Sequence, residues 1–238
     1  MSKRLSITID GHRVPYSVRV SQRAKRARLT INPVDGLVVV LPAGYERSRV
    51  PAILKAHAPW VIKHIDRIAA PAAPVIRDGA TVLFRGEHTP VKIEHLDERA
   101  DASTVHYRDG EIHIALHPSH VDAAGDVFEQ WIRATARRLV RREIAELDPE
   151  GRFPFKRLYI RNQKTKWGSC SDRMNLSLNC RLAMAPPFVL RYIVAHEMAH
   201  LKELNHSKRF WELVESLYGD YQEAERWLQD NGALLCWR

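Results

Sequence analysis

Short runs of alternating apolar and polar residues fill the first half of the chain and predict β-strands. Turn signals separate the runs, notably Asp10-Gly11 and the stretch from Asn32 to Gly36. A Pro/Ala stretch at residues 69–74 is the clearest internal break. The predicted strands cover residues 5–9, 14–20, 27–31 and 37–41 before this break, and 81–84, 89–95, 104–107 and 111–116 after it.

Helical periodicity appears at the end of the first strand group and again in the second half of the chain. Residues 46–68 predict a helix that is broken near Ala58-Pro59. Residues 121–147 carry an apolar stripe with a period near 3.6, which predicts a long helix. Further helices are expected over 187–204, from an N-cap at Ser207 to 218, and over 221–229. Between them, 157–166 and 174–182 predict strands of a hairpin or meander that turns at 171–173.

These elements predict an α+β protein in three segments. Residues 1–70 form a β-rich N-terminal part with a helical end, and residues 71–119 form a second β-rich segment. Residues 120–238 combine a long helix, short antiparallel strands and C-terminal helices. No internal repeat is visible along the sequence.

The charge is unevenly distributed among these segments. The chain of 238 residues has a formal net charge of +9, with +6 in residues 1–119, +4 in 120–170 and −1 in 171–238. The windows 13–28 and 152–166 contain basic residues and no acidic ones. Such windows are typical either of a solvated face or of a site for phosphate or a polyanion, so nucleic acid contact through the N-terminal part stays open. With three cysteines, no secretory signal and no apolar span, we expect a cytoplasmic protein without membrane contact.

The strongest chemical signal is the sequence His196-Glu197-Met198-Ala199-His200. Histidines at i and i+4 of a helix share a face and can bind one metal ion, while the adjacent glutamate can hold a water molecule. His206 has the spacing of a third ligand, although Glu203 stands where the HExxHxxGxxH pattern has glycine. An ordinary amphipathic helix is the alternative, and a downstream glutamate is a rival third ligand. Those glutamates are Glu212, Glu215, Glu223 and Glu225.

Residues 157–228 resemble the YgjP-like metallopeptidase domain, a zincin family related in motif to the SprT and WLM zinc proteases. The matching stretches run from Arg161 to Ser171, from Leu176 to Leu182 with Pro186, from His196 to Trp211, and over Trp227-Leu228. The leading basic segment is similar as well, through Arg19, Ser21, Arg23, Lys25 and Arg28. The resemblance implies His196, His200 and His206 as metal ligands and Glu197 as catalytic acid/base. Lys166 departs from it, since the family more often has arginine there.

Other motif residues keep two interpretations. Trp167-Gly168-Ser169, with Lys164 and Lys166, would bind substrate along an edge strand, or Trp167 is core and Gly168 a bulge. Arg181 would stabilise an oxyanion or a phosphate, or form a structural salt bridge. Asn205 and Ser207 would orient His206 or cap helices.

Together these features predict a metal-dependent hydrolase with one Zn²⁺ per chain. The favoured activity is a zinc metallopeptidase with Glu197 as general base, acting on a protein or peptide. One alternative is a pyrophosphatase that cleaves nucleoside triphosphates such as UTP, an activity also associated with the family. A further alternative is a nucleic-acid-binding module with a structural metal.

Overall fold

A computed structural model describes residues 5–32, 36–64, 73–120 and 122–237. The chain divides into two compact units, Met1–Ala73 and Pro74–Arg238. Part of the Pro/Ala stretch and the end of the predicted helix over 46–68 lie outside the described residues. Within the described residues, no helix combines the length and the apolar character needed to cross a membrane.

The first unit is a four-stranded sheet with two short helices. The strands are β1 (Leu5–Ile9), β2 (His12–Ser21), β3 (Arg28–Asn32) and β4 (Gly36–Pro42), in the order β1-β2-β4-β3. The helices are α1 (Val50–Ala56), after a 3₁₀ turn at Arg47–Arg49, and α2 (Ala58–Lys63). The central pair β2–β4 is parallel and both outer pairs are antiparallel. Alternate residues of β4, such as Leu37 and Val39, pack with Val50 and Leu54 of α1 in a core of their own.

The second unit begins with another four-stranded sheet. Its strands are β5 (Thr81–Phe84), β6 (Glu87–His95), β7 (Thr104–Arg108) and β8 (Glu111–Leu116), in the order β5-β6-β8-β7. The 24-residue helix α3 (Ala124–Leu147) follows a 3₁₀ turn at Pro118–His120. Ile112 and Ile114 of β8 share a core with Phe128 and Ile132 of α3. The segments predicted as 71–119 and 120–238 therefore contribute to one core.

The two sheets repeat the same topology, which the sequence does not reveal. In β1, β2 and β4, adding 75 to a residue number gives its counterpart in the second sheet: the pair Ile7–Val14 corresponds to Val82–Thr89, and Tyr16–Leu37 to Val91–Ile112. The β3–β4 and β7–β8 pairs differ by one residue in register. Few residues are identical at this offset, whereas buried positions such as Leu41 and Leu116 correspond. The repeat is therefore one of strand order and pairing, without a visible repeat in the sequence.

The remainder of the second unit is a small sheet and three helices. The sheet contains β9 (Arg157–Arg161), β10 (Gly168–Cys170) and β11 (Asn175–Asn179), in the order β10-β11-β9, and a 3₁₀ turn at Cys180–Ala183 follows it. The helices are α4 (Pro187–Ala199), α5 (Lys208–Tyr218) and α6 (Gln222–Asn231). The predicted pairing was partly wrong, because β9 runs parallel to β11 and the turn at 171–173 instead joins β11 to the separate short strand β10.

Candidate metal centre

Helix α4 carries the first two histidines at its C-terminal end. Pro187 opens the helix, and nearly all of its residues from Val189 to Ala199 are buried. The helix ends at Ala199, earlier than the predicted 204, and His200 is its C-cap residue with φ −64°. Because the backbone is still helical there, His196 and His200 lie on one face, with ring centroids 5.1 Å apart.

A tight turn after the helix returns the chain to this face at His206. The backbone N–H groups of Leu201 and Glu203 donate to the carbonyls of Met198 and Ala199. The carbonyl of Glu203 accepts a hydrogen bond from His200 Nδ1 at 3.0 Å, so this imidazole keeps Nε2 free. At the position where the related pattern has glycine, Glu203 thus contributes a backbone carbonyl that orients His200.

Asn205 and Ser207 shape the chain on either side of His206. The Oδ1 atom of Asn205 accepts from the Ser207 N–H at 3.1 Å, and Ser207 Oγ accepts from the Phe210 N–H at 3.3 Å. The second bond is an N-cap for α5, as the sequence predicts. Their side chains therefore fix the loop and the helix start that flank His206.

The three histidines have the geometry of a metal site. One nitrogen from each of His196, His200 and His206 lies within 4.8 Å of the others, and the Nε2 atoms of His196 and His206 are 3.3 Å apart. Tetrahedral zinc with Zn–N bonds of about 2.0–2.1 Å places its nitrogen ligands roughly 3.3 Å apart. Within the described ranges this cluster contains no carboxylate ligand, and the rival Glu225 instead accepts a hydrogen bond from Tyr192.

Burial keeps these imidazoles in the form that binds metal. Burial, together with the neighbouring histidines, lowers the pKa of His196 to about 4. Burial also lowers the pKa of His200. Both of these rings are therefore neutral near pH 7, and each has a lone pair available for a divalent cation such as zinc.

Glu197 lies beside the histidines as a buried carboxylate. It is 5% exposed, and its Oε2 atom has no hydrogen-bond partner within the described residues. Burial raises the pKa of Glu197 to about 7, opposed in part by the ammonium of Lys166. An orphaned buried oxygen whose carboxyl titrates near neutrality is suited to accept and return a proton.

Strand β10 runs directly against this carboxylate. An added Cβ at Gly168 would lie 2.6 Å from the carboxyl carbon of Glu197, so the strand approaches Glu197 through the absence of a side chain. Ser169 is half-buried on the same strand, and Lys164 and Lys166 are exposed before it. Trp167 packs its ring near Gly232 of the C-terminal segment.

Arg181 lies in a buried polar network. It is 5% exposed, and its Nε donates to Asn162 Oδ1 at 2.8 Å. Asn162 donates in turn to Glu129, which also accepts from Arg133 at 2.6 Å. The guanidinium of Arg181 thus links the segment before β10 to helix α3.

Two residues near the site have roles that sequence reasoning missed. The amide of Asn179, 1% exposed, donates to the carbonyls of Gln163 and Lys166 at 2.7 and 2.8 Å. Tyr192 donates to Glu225 at 2.8 Å and packs its ring edge-on against His196, with centroids 5.9 Å apart. The only advance signal for Asn179 is its place in the motif with Arg181, and for Tyr192 its place one turn before His196 on α4.

A family model confirms the class to which this arrangement points. The model for the YgjP-like metallopeptidase domain matches residues 25–231. The chain belongs to the YgjP-like metallopeptidase family. The resemblance inferred from the sequence motifs is thereby confirmed, and this YgjP-like protein is of the metal-dependent hydrolase class.

Comparison with solved structures gives more distant likenesses to the YgjP-like chain. The metallopeptidase zymogen abylysin of Pyrococcus abyssi is 25% identical over 40% of this chain and 93% of its own, with a TM-score of 0.33. The metallopeptidase zymogen jannalysin of Methanocaldococcus jannaschii is 22% identical over 40% of this chain and 94% of its own, also with a TM-score of 0.33. No curated protein sequence matches the chain.

Proposed function

We propose that this YgjP-like protein is a zinc-dependent metallopeptidase in which His196, His200 and His206 hold the metal and Glu197 is the general base. The observation that carries the proposal is Glu197, a buried carboxylate with an unpartnered oxygen on the residue that follows the first of three converging histidines. A purely structural metal site has no use for such a carboxylate.

The protein's own groups supply orientation and proton transfer. When bound, zinc supplies Lewis acidity toward the scissile carbonyl and lowers the pKa of water. Glu197 takes a proton from the attacking water at its free Oε2 and returns it to the leaving amine. The Glu203 carbonyl fixes the His200 ring, and the packing of Tyr192 against His196 restricts the first ring.

Strand β10 is the proposed binding edge for an extended peptide. It is at the edge of its sheet, because the order β10-β11-β9 pairs it with β11 alone among the described strands. Its Gly168 lies against Glu197, so a peptide added to this edge would bring a backbone carbonyl close to the base. Lys166, whose ammonium influences the Glu197 carboxylate, lies at the start of this edge and is suited to bind developing negative charge.

Metal content and proteolysis test this function in the purified full-length protein. We expect about one zinc per chain, loss of metal in His206→Ala, and full metal content in the exposed control His95→Ala. Glu197→Gln should keep the metal and lose cleavage of an unfolded protein substrate by about 10²-fold or more, since general-base catalysis contributes on this scale. A Glu197→Gln protein that cleaves at the wild-type rate would contradict the assigned base.

Phosphoanhydride hydrolysis is the second candidate for the same site. The observation in its favour is the Lys166 ammonium, which acts electrostatically on Glu197, since a cation near the proposed base is suited to a phosphate as well as to an oxyanion. A parallel assay with UTP separates the two functions. Release of pyrophosphate without proteolysis, lost in Glu197→Gln, would replace the peptidase assignment with this one.

A further inference from the structure

A second cavity in the Pro74–Arg238 unit shares no lining residue with the metal centre. It has a volume of about 370 Å³ and lies between the turn that joins β5 to β6, strand β7 and helix α3. We name it the arginine–aromatic pocket, after the residues that characterise its lining. These are Arg85, Tyr107, Trp131, Thr135, Arg138 and Arg142.

One wall of the arginine–aromatic pocket is a packed group of aromatic rings. The buried ring of Phe84 lies between Tyr107 and Trp131, with centroid distances of 4.8 and 5.1 Å. Tyr107 is nevertheless 46% exposed, on the edge strand β7. A tyrosine held by aromatic neighbours but open on one side can stack against a flat ring without being reordered.

The other wall is positively charged and lacks local neutralisation. Within the described residues, the side chains of Arg85 and Arg138 form no ion pair and no hydrogen bond, and the lining contains no carboxylate. Arg142 alone is paired, with Glu143 at 3.4 Å and Glu146 at 3.5 Å. Two cations facing one cavity repel each other, and an anion bound between them removes that repulsion.

A hydroxyl in the lining also forms no hydrogen bond. Thr135 is 5% exposed on α3, and its hydroxyl makes no hydrogen bond within the part of the chain that is described. A hydroxyl that lines a cavity and is not bonded to the preceding helical turn is available to a ligand. The cavity therefore offers a polar contact at its floor as well as charge at its rim.

The backbone at Arg85 has a conformation that is unfavourable for arginine. Arg85-Gly86 forms a two-residue hairpin turn with φ values of 53° and 89°. The equivalent turns Asp10-Gly11 and Asp109-Gly110 have aspartate at the first position, which tolerates positive φ well, whereas arginine does not. The strained turn is thus the one whose side chain lines the cavity.

We infer that the arginine–aromatic pocket binds a nucleotide unit, either a free mononucleotide or one nucleotide of a single strand. Its phosphate lies between Arg85 and Arg138, its base stacks on Tyr107, and Thr135 hydrogen-bonds to its polar edge. The cavity volume is within the range of small-ligand sites. Base stacking on an exposed aromatic side chain next to arginine is the way in which many proteins hold the nucleotides of a single strand, and a free nucleotide presents the same base and phosphate.

Binding of AMP, of inorganic phosphate and of a fluorescein-labelled dT10 strand to the full-length protein tests this inference. Affinity for the preferred nucleotide should fall about tenfold or more in Arg85→Asn and in Tyr107→Ala. It should change less than twofold in Arg141→Ala, which removes an exposed arginine of α3 outside the cavity. Because asparagine suits the turn, Arg85→Asn should melt at or above the wild-type temperature, so its loss of binding is not unfolding.

The probes also distinguish a free mononucleotide from a single strand as the ligand. Binding of dT10 much tighter than AMP identifies a single strand as the ligand, and equal or tighter AMP binding identifies a free nucleotide. The inference is overturned by no binding of either at millimolar concentration, by unchanged affinity in Arg85→Asn, or by phosphate binding as tightly as AMP.

Discussion

At the scale of single residues, the feature that organises the metal centre is the contact between Gly168 and Glu197. The strand reaches the carboxylate only because position 168 has no side chain, as an added Cβ would lie 2.6 Å from the carboxyl carbon. The carboxylate has little room to move away from an added side chain, since Glu197 is 5% exposed and lies among the buried residues of α4. The position of the proposed base therefore depends on a residue with no functional group.

We predict that Gly168→Ala displaces the Glu197 carboxylate and lowers kcat by about 10²-fold, the scale expected for a misplacement near 1 Å. Metal content should be unchanged, because the three atoms nearest to an added Cβ all belong to Glu197 and none to a histidine. Thr81→Ala, at an exposed position of strand β5, is the control and should stay within twofold of wild type. Metal analysis with steady-state kinetics checks both, and a Gly168→Ala enzyme of normal kcat would show that the contact does not position the base.

Residue spacing predicted the chemical groups of the site but not what positions them. His196, His200 and His206 follow from spacing along a helix and one turn, which are local properties of the chain. The contact between Gly168 and Glu197 and the hydrogen bonds of Asn179 depend on which strand packs beside α4. Such contacts between distant segments leave no periodic pattern in a single sequence.

At the scale of elements, the segment between β9 and β10 must cross from one side of β11 to the other. Asn179, at the end of β11, holds this segment through two donated hydrogen bonds, to Gln163 and Lys166. Its Oδ1 also accepts from the Arg181 N–H at 3.1 Å and so begins the 3₁₀ turn that follows. One buried amide thus fixes both the crossing segment and the turn.

Asn179→Asp removes the donated bonds, because a carboxylate keeps the acceptor for Arg181, loses both donors and places a buried charge against two carbonyl oxygens. We predict a fall of roughly 3 kcal/mol or more in the free energy of unfolding, from the two carbonyls left without a donor and from the buried charge. Peptidase activity should fall further than stability explains, since Lys166 and β10 lose their anchor. Denaturant unfolding and kinetics at a temperature where the variant is folded measure the two effects. If the folded variant has the same activity per molecule as the wild type, Asn179 has a structural role only.

The strands themselves were predictable, whereas their pairing was not. Alternation along residues 5–41 and 81–116 located the eight strands of the two larger sheets within a few residues. The alternation of apolar and polar residues indicates which face of a strand is buried, but it does not indicate which strand pairs with it. The parallel pair β9–β11 was missed for this reason, since the turn at 171–173 favoured a direct hairpin.

At the scale of the whole molecule, the same sheet topology occurs twice, and the two sheets pack on different helices. The first sheet packs on the short helices α1 and α2, and the second packs on the long helix α3, which also contacts α4, the helix that carries His196 and His200. The two sheets keep the same strand order and the same register in the pairs β1–β2 and β2–β4, while their residues differ. Register depends on a few buried positions, so a topology can persist after most identities are lost.

The division into two cores predicts that residues 74–238 fold and bind metal without the first unit. Ile112, Ile114 and Leu116 of β8 complete the core around Phe128, so the second sheet belongs to the hydrolase part. A fragment of residues 122–238 is the matched control, because it would expose that face of α3 to water. We expect about one zinc per chain and a single cooperative melting transition for 74–238, and aggregation for 122–238. An insoluble or metal-free 74–238 fragment, measured beside the full chain, would show that the first unit is required for the metal centre to form.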